Sequence, residues 1–456
     1  MKKKALSICL ALALFFALPL SLPMAKALSL GSYTLAVSEG VAKAGESVSL
    51  SVTIEADAPF SSMQGLLVFD QTRLELALDE EENPVLAAAE GIVVTVLRDT
   101  FEEYAHKHGI AFSVRTEDGA PLMLSGEKEL FGVSFLVKED AALGDAKVQL
   151  ISYTDEKSAT FVSAEEGVHG NVSYQAGKLT VLPEGYTKIT GDGQADGFYT
   201  VKTSVDGKET AYTVNRSEVQ LPGQLLENGR AVIAWKIDDK LYAPGERILL
   251  PARVVLLEAV TVEVPTTVRG AAVKITPKPT DTALRFKARL SRADYDALVS
   301  LFGESRVSWG MIAAPQQNID FVGGACTYEA FAEYVEAGSQ PYVCYPPKEE
   351  WENKVNEGTF SSFYVSEDEE YYTLIGAIAM RYDANLRAGK RFNAVGYISV
   401  RVGTEEVRVY GDVDFTAARD VAYVVEQALA EYYAGHNIYT DDQVRWLKAL
   451  KERCEG

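Results

Sequence analysis

Few of the residues that carry most enzyme chemistry are present: among 456 residues there are 4 cysteines, 4 histidines and 4 tryptophans. So few cysteines exclude a disulfide scaffold, and the cores have to hold themselves together by burial alone. No Gly-x-Ser-x-Gly elbow, phosphate-binding loop or His-Glu-x-x-His helix occurs, which weakens the case for an enzyme. Positive charge is also short, with 44 Lys and Arg against 65 Asp and Glu and a formal net charge of −21. Such a surface repels phosphate backbones and makes nucleic acid a poor partner. Beyond the first residues no apolar run is long enough to span a membrane.

What is present begins with Lys2, Lys3 and Lys4, an apolar stretch from Ala5 to Met24, and a small-residue exit at Ala25-Lys26-Ala27. This is the pattern of a secretory signal cut after Ala27, so residues 1–27 are expected to be absent from a mature extracellular protein, free or held at the cell surface. Pro19 and Pro23 oppose the competing reading of a spanning helix. Cys9 follows Ile8 rather than a small residue at the end of the stretch, so it does not read as a lipid-anchored cysteine. Cys326, Cys344 and Cys454 remain, an odd number that leaves at least one thiol unpaired or pairing between molecules. A Cys326–Cys344 bridge would close a loop worth about 3 kcal/mol. The remaining length of about 430 residues suggests about three domains.

Their patterns differ. Residues 28–183 are rich in short alternating runs separated by Gly, Asp, Asn and Pro, with strands expected at Val48 to Ile54, Met63 to Phe69, Ile92 to Leu97, Ile110 to Val114, Leu130 to Val137, Val148 to Tyr153 and Lys178 to Leu182. Regular short strands of this kind predict an all-β sandwich. Residues 184–265 predict a small β module. Residues 266–456 mix strands with capped helices and predict an α+β domain. Its helices are expected after Ser291, Thr327, Thr416 and Thr440, and its strands include Ala271 to Ile275, Leu284 to Leu290, Val307 to Ala313, Tyr371 to Tyr382 and Phe392 to Val402.

The turn at Ala44-Gly-Glu that feeds the Val48 strand, and the later strand Met63-Gln-Gly-Leu-Leu-Val-Phe-Asp, resemble the opening of a cohesin module. Phe131-Gly-Val-Ser-Phe-Leu-Val-Lys with the acidic turn from Glu139 to Asp145, and the closing strand Gly177-Lys-Leu-Thr-Val, continue that resemblance across the segment. It implies a non-catalytic module that binds a dockerin-type protein through one sheet face, with no cofactor. Dockerin-binding members carry Asn and Asp on the strand that ends in the aromatic-Asp pair; Ser62 and Gln64 stand at those places here. Ser62 and Gln64, with Leu66 and Val68 continuing the same face as an apolar centre, are the expected binding residues.

The tail of the second segment, a Trp235 strand followed by Tyr242-Ala-Pro-Gly-Glu before another strand, is similar to an internalin-type B repeat, which implies a spacer. In the third, Leu284-Arg-Phe-Lys-Ala, Gly310-Met-Ile-Ala-Ala-Pro and Arg419-Asp-Val-Ala-Tyr-Val look like an uncharacterised terminal domain of secreted Gram-positive bacterial proteins, a likeness that implies no activity.

Three other constellations compete. Asp192, Asp196 and Gly197 occupy the first, fifth and sixth places of a calcium loop, but Gln194 and Thr203 stand at the third and twelfth, so a linker turn is the better reading. His106 and His108 would share one face of a strand, yet no further ligands stand nearby, and a polar loop is expected instead. Cys326 precedes a helix, with His436 and Asn437 later, the order of some cysteine proteases; a buried cysteine is the simpler reading. All four tryptophans, Trp235, Trp309, Trp351 and Trp446, lie outside the sandwich segment, which disfavours gripping crystalline polysaccharide with its face. The expected function is a secreted binding or scaffold protein whose partner is a dockerin-type protein or a polysaccharide. A surface adhesin and a polysaccharide-processing enzyme with its site in 266–456 are the alternatives.

Overall fold

The computed structural model describes residues 32–97, 109–122, 126–151, 162–163, 171–189, 199–274, 283–331, 343–345, 364–367, 369–379, 389–414, 418–436 and 439–455. Residues 1–27, expected to be a signal, the His106–His108 pair and the Gly191–Gly197 loop lie outside these residues, as does the side chain of Cys344. The chain is a multidomain, mostly β protein with a small helical part near its C-terminus.

The first unit contains β1 (Ser32–Val37), β2 (Glu39–Ala42), β3 (Ser47–Ala56), β4 (Ser62–Phe69), β5 (Leu74–Leu76), β6 (Leu86–Ala88), β7 (Ile92–Val96), β8 (Gly109–Thr116), β9 (Lys128–Val137), β10 (Gly144–Ile151), β11 (Val162–Ser163), β12 (Asn171–Gln175) and β13 (Gly177–Val181). One sheet runs β12-β1-β3-β9-β5 and the other β2-β13-β10-β4-β8-β7. The period-two alternation read from the sequence places Leu50, Val52 and Ile54 of β3 inward, against Met63 and Leu67 of β4 and Ala146 and Val148 of β10. Phe112 meets Phe131 edge to face at 5.0 Å and Phe69 meets Phe135 at 5.1 Å, which locks the two layers. Each such buried side chain contributes about 1.5–3 kcal/mol. After β4, the Asp70 carboxylate accepts from the Thr72 amide at 3.0 Å and from Arg73 at 3.1 Å, closing the expected tight turn.

The middle unit contains β14 (Tyr186–Lys188), β15 (Tyr199–Val205), β16 (Lys208–Val214), β17 (Glu218–Gln220), β18 (Leu226–Glu227), β19 (Arg230–Ile237), β20 (Lys240–Tyr242), β21 (Arg247–Leu249) and β22 (Val254–Glu263), most of them in a sheet ordered β14-β16-β15-β22-β19-β18. Trp235 is fully buried, as the sequence suggested, and its indole N–H donates to the Pro222 carbonyl at 2.8 Å. In the Pro-Gly-Glu turn, Gly245 takes φ 78°, and the Glu246 carboxylate accepts from the Ala243 amide at 2.8 Å.

The middle unit does not stand apart from the domain that follows it. A bulge in β19 between Val232 and Ala234 splits the strand: Val232 and Trp235 join the unit's own core, while Ala231, Ile233 and Ala234 join another. That second cluster includes Leu298, Val307, Ile398 and Val400 of the C-terminal domain, so the middle unit is fused to its neighbour by a shared core.

The C-terminal domain contains β23 (Thr266–Lys274), β24 (Ala283–Ser291), α1 (Arg292–Phe302), β25 (Val307–Pro315), α2 (Gln316–Phe321), β26 (Val343–Tyr345), β27 (Tyr364–Glu367), β28 (Tyr371–Ala379), β29 (Phe392–Val402), β30 (Glu405–Tyr410), α3 (Val421–Tyr433) and α4 (Asp441–Glu455). Two four-stranded sheets, β23-β24-β28-β27 and β26-β25-β29-β30, pack with α3 and α4 through Leu284, Phe286, Trp309, Met311, Val425 and Leu447. Ser291 caps α1 by accepting from the Asp294 amide at 3.3 Å. Thr440 and Gln443 form a reciprocal capping box ahead of α4. For α3 the cap is Asp420, whose carboxylate accepts from the Tyr423 amide at 2.7 Å; the sequence had pointed to Thr416, which lies outside the described residues.

Candidate functional site

Successive residues of a strand point to opposite sides, so the β2-β13-β10-β4-β8-β7 sheet turns one set of side chains into the core and another away from it. On β4 the outer set is Ser62, Gln64, Leu66 and Val68, the four residues expected from the sequence to bind. The register places Arg115, Ser113 and Ala111 of β8 opposite Ser62, Gln64 and Leu66, and Val93 and Thr95 of β7 opposite Arg115 and Ser113. On the other side of β4, Gln149 stands opposite Val68, and Asp145 and Lys147 of β10 pair with Thr180 and Lys178 of β13. Glu39 and Val41 of β2 complete this side. The face is therefore one continuous array of named side chains across six strands.

Its two halves have different surroundings. Towards β8 and β7, Arg115 and Thr95 are exposed, and Ser62, Gln64, Ser113 and Val93 are half-buried. Leu66 and Val68 continue this face but are each only 3% exposed, so they add little open apolar surface to it.

Towards β10, β13 and β2, the face is occupied by the chain's own middle unit. The Asp145 carboxylate, 1% exposed, accepts from the Leu226 amide at 2.6 Å, from the Thr180 hydroxyl, and pairs with Lys178 at 3.1 Å. Lys178 also donates to the Leu226 carbonyl and pairs with Glu227 at 3.1 Å. Lys208 bridges Glu227 at 3.1 Å and Glu39 at 3.5 Å. The Asp145 amide donates to the Gln224 carbonyl at 2.8 Å, and the backbone comes this close because both sides carry glycine. A Cβ on Gly223 would stand 2.1 Å from the Leu143 carbonyl oxygen, and one on Gly144, at φ +110°, 2.3 Å from the Gln224 oxygen.

Electrostatics follow from these contacts. Burial by itself would lower the Lys178 pKa, but Asp145 and Glu227 outweigh it and hold it above the usual lysine value. Burial would raise the Glu227 pKa, and hydrogen bonds from Lys178 and Lys208 reverse this to a net lowering. Asp145 and Lys178 carry this contact, and sequence reading did not single them out. Asp145 had been assigned to an acidic turn, whereas β10 begins one residue before it; the apolar alternation Ala146, Val148, Leu150 was the signal that could have placed it on a strand.

Beside this contact the three units leave a cleft of about 1030 Å³. Its floor includes Val68, Lys147 and Gln149 of the sandwich face, and its opposite wall includes Glu329, Arg408, Tyr410 and Asp412 of the C-terminal domain. Lys147 pairs with Asp412 across it. Arg408 pairs with Glu329 at 3.1 Å and lies over the Tyr328 ring at 4.8 Å, and the Tyr410 hydroxyl donates to Glu329 at 2.8 Å. Burial, then Glu329, raise the Tyr410 pKa, so the phenol stays protonated.

Cys326 also lines the cleft, but its side chain is 2% exposed with Sγ 3.9 Å from the Ile312 carbonyl, and His436 is exposed. Its packing is that of a core thiol rather than of a nucleophile presented to substrate. Among the described residues no group of three or more His, Cys, Asp and Glu is arranged to hold a metal, and no helix is long and apolar enough to cross a membrane.

No protein-family model matches this sequence, and no curated protein matches it. Among solved structures, the third cohesin ScaC of Acetivibrio cellulolyticus, in complex with a dockerin, is 18% identical and covers 33% of this chain and 99% of its own, with a TM-score of 0.25. A type III cohesin of the Ruminococcus flavefaciens cell-surface anchoring scaffoldin is 15% identical over 33% of this chain and 87% of its own, with a TM-score of 0.25. A non-cellulosomal cohesin from the archaeon Archaeoglobus fulgidus is 15% identical over 33% and 91%, with a TM-score of 0.23.

Proposed function

We propose that this chain is a secreted, non-catalytic binding or scaffold protein whose sandwich recognises a dockerin-type protein or a polysaccharide, while the middle unit and the C-terminal domain hold that sandwich in place. The observation that carries the reading is the outer face at β4, β8 and β7. Ser62, Gln64, Ser113, Thr95 and Arg115 form a polar array that contributes nothing to the sandwich core. Such a flat arrangement of donors and acceptors on a rigid sheet suits recognition of another surface better than chemistry on a small substrate. The cohesin-like order of turns and strands in the sequence supports the same reading.

The experiment is retention of dockerin-bearing proteins from the same secretome by the immobilised mature chain, run beside a glycan array. Retention that is lost in a Gln64→Ala, Arg115→Ala double variant is the expected result. If neither a protein nor a glycan is retained, the recognition reading fails.

A further inference from the structure

The covered half of the sheet face has an occupant that resembles a bound ligand, and it belongs to the chain itself. Resting on the recognition reading above, we propose that the segment 222–227 is an internal competitor for that face: a partner spanning the whole sheet has to displace it.

The contacts are of the kind by which an extended peptide adds to a protein surface. Gly144 and Gln224 make a parallel bridge, the Asp145 amide donates to the Gln224 carbonyl, and the Leu226 amide donates back to the Asp145 carboxylate. Glu227 supplies the acidic group that Lys178 holds. Among the described residues no apolar cluster spans the two sides: the sandwich core is composed of residues from Tyr33 to Val181, and the core of the middle unit begins at Leu182. Leu225 belongs to the middle unit's core, the Pro222 carbonyl accepts from the buried Trp235 indole, and β18 pairs with β19, so the segment leaves with the middle unit as one body, and neither core opens when it does. Beyond the adjacent cleft the sandwich also meets the C-terminal domain at Lys147 with Asp412 and at Gln71 beside Gly323, and neither is an apolar weld. Once the segment leaves, water can solvate Asp145 and Lys178, so the uncovered face has no orphaned buried charge.

The test uses the full mature chain and a Glu227→Gln, Asp412→Asn double variant, whose changes lie outside the sandwich. Acetylation by an N-hydroxysuccinimide ester is read at Lys178, with exposed Lys202 as the internal reference. In the wild type Lys178 is expected to react at least tenfold more slowly than Lys202, and in the variant to approach it. Lys178 reacting as fast as Lys202 in the wild type, or staying equally protected in the variant, overturns the inference. With a partner retained in the assay above, the variant is expected to bind three- to tenfold more tightly. Equal affinity overturns the competition even where the labelling arm succeeds, whereas a chain that retains no partner at all fails on the recognition reading.

Discussion

Where the middle unit meets the C-terminal domain, Ile233 and Ala234 lie in one cluster with Leu298, Ile398 and Val400; where it meets the sandwich, the contact is made by Asp145, Lys178, Glu227 and Lys208. The first junction is a domain core in composition, and each side chain removed from water there stabilises it by about 1.5–3 kcal/mol. In the second, the attraction between charges is offset by the cost of taking them out of water, so the contact specifies an arrangement more than it strengthens one. Asp294 makes the difference sharper. At the apolar junction it accepts from Arg230 at 2.8 Å and from the Glu263 amide at 2.7 Å, a polar tie beside an apolar weld. At the sandwich the polar ties stand, among the described residues, without a shared apolar cluster, so two units share a core and the third meets them through charged and backbone contacts.

The largest expected effect breaks the apolar side. Ile233→Asp places an unpaired carboxylate in a fully buried position, and a loss above about 4 kcal/mol is expected. Urea unfolding followed by tryptophan fluorescence should show the middle unit and C-terminal domain failing together, since all four tryptophans lie outside the sandwich. Next, Lys178→Met leaves Asp145 with its Thr180 and Leu226 partners but no counter-charge. A loss of about 2 kcal/mol is expected at the sandwich junction, below the 3–5 kcal/mol of a fully buried pair because the Lys178 side chain is 18% exposed. Hydrogen exchange should rise at residues 144–147 and 224–227 and stay unchanged at 230–237.

The two junctions also differ in their response to pH. The Glu227 pKa is lowered in the folded chain, so its contribution is present above the ordinary carboxylate range and lost as pH falls through the folded value. The Lys178 pKa is raised, so its contribution is present below the ordinary lysine range and lost as pH rises through the folded value. The sandwich contact is thus expected to loosen in acid below about pH 4 and in base above about pH 10, with the apolar junction indifferent between those limits; exchange rates at the same peptides check this. The smallest effect is at Cys454, where burial, then Asp420, push the thiol pKa up to about 11. Iodoacetamide at pH 8 should modify it far more slowly than free cysteine, and a rate equal to the free thiol would show that α4 frays from its sheet.

Much of this architecture was legible beforehand because burial has a period. Leu50, Val52 and Ile54 announced β3, and Phe392 to Val402 matched β29 to the residue. Asp420 was missed as a helix cap because Thr416 offered an equally good capping side chain four residues earlier, and only the path of the chain decides between them. The face on β4 was readable as an alternating set, but exposure was not. Alternation says that Leu66 and Val68 point away from the core; it does not say that their environment is dry. The junctions were the least legible part, because Ile233 and Asp145 look alike in pattern to any strand residue, and partners such as Leu298 for Ile233 and Leu226 for Asp145 lie 65 and 81 residues away in the chain.

Urea-dependent hydrogen exchange on the full mature chain, read by mass spectrometry peptide by peptide, tests the separation most directly. Peptides from 32–181 should lose protection together at one urea concentration, and those from 199–263 should lose it with those from 283–331 and 389–455 at another. Loss of the middle unit's protection together with the sandwich, and apart from the C-terminal domain, would contradict the account.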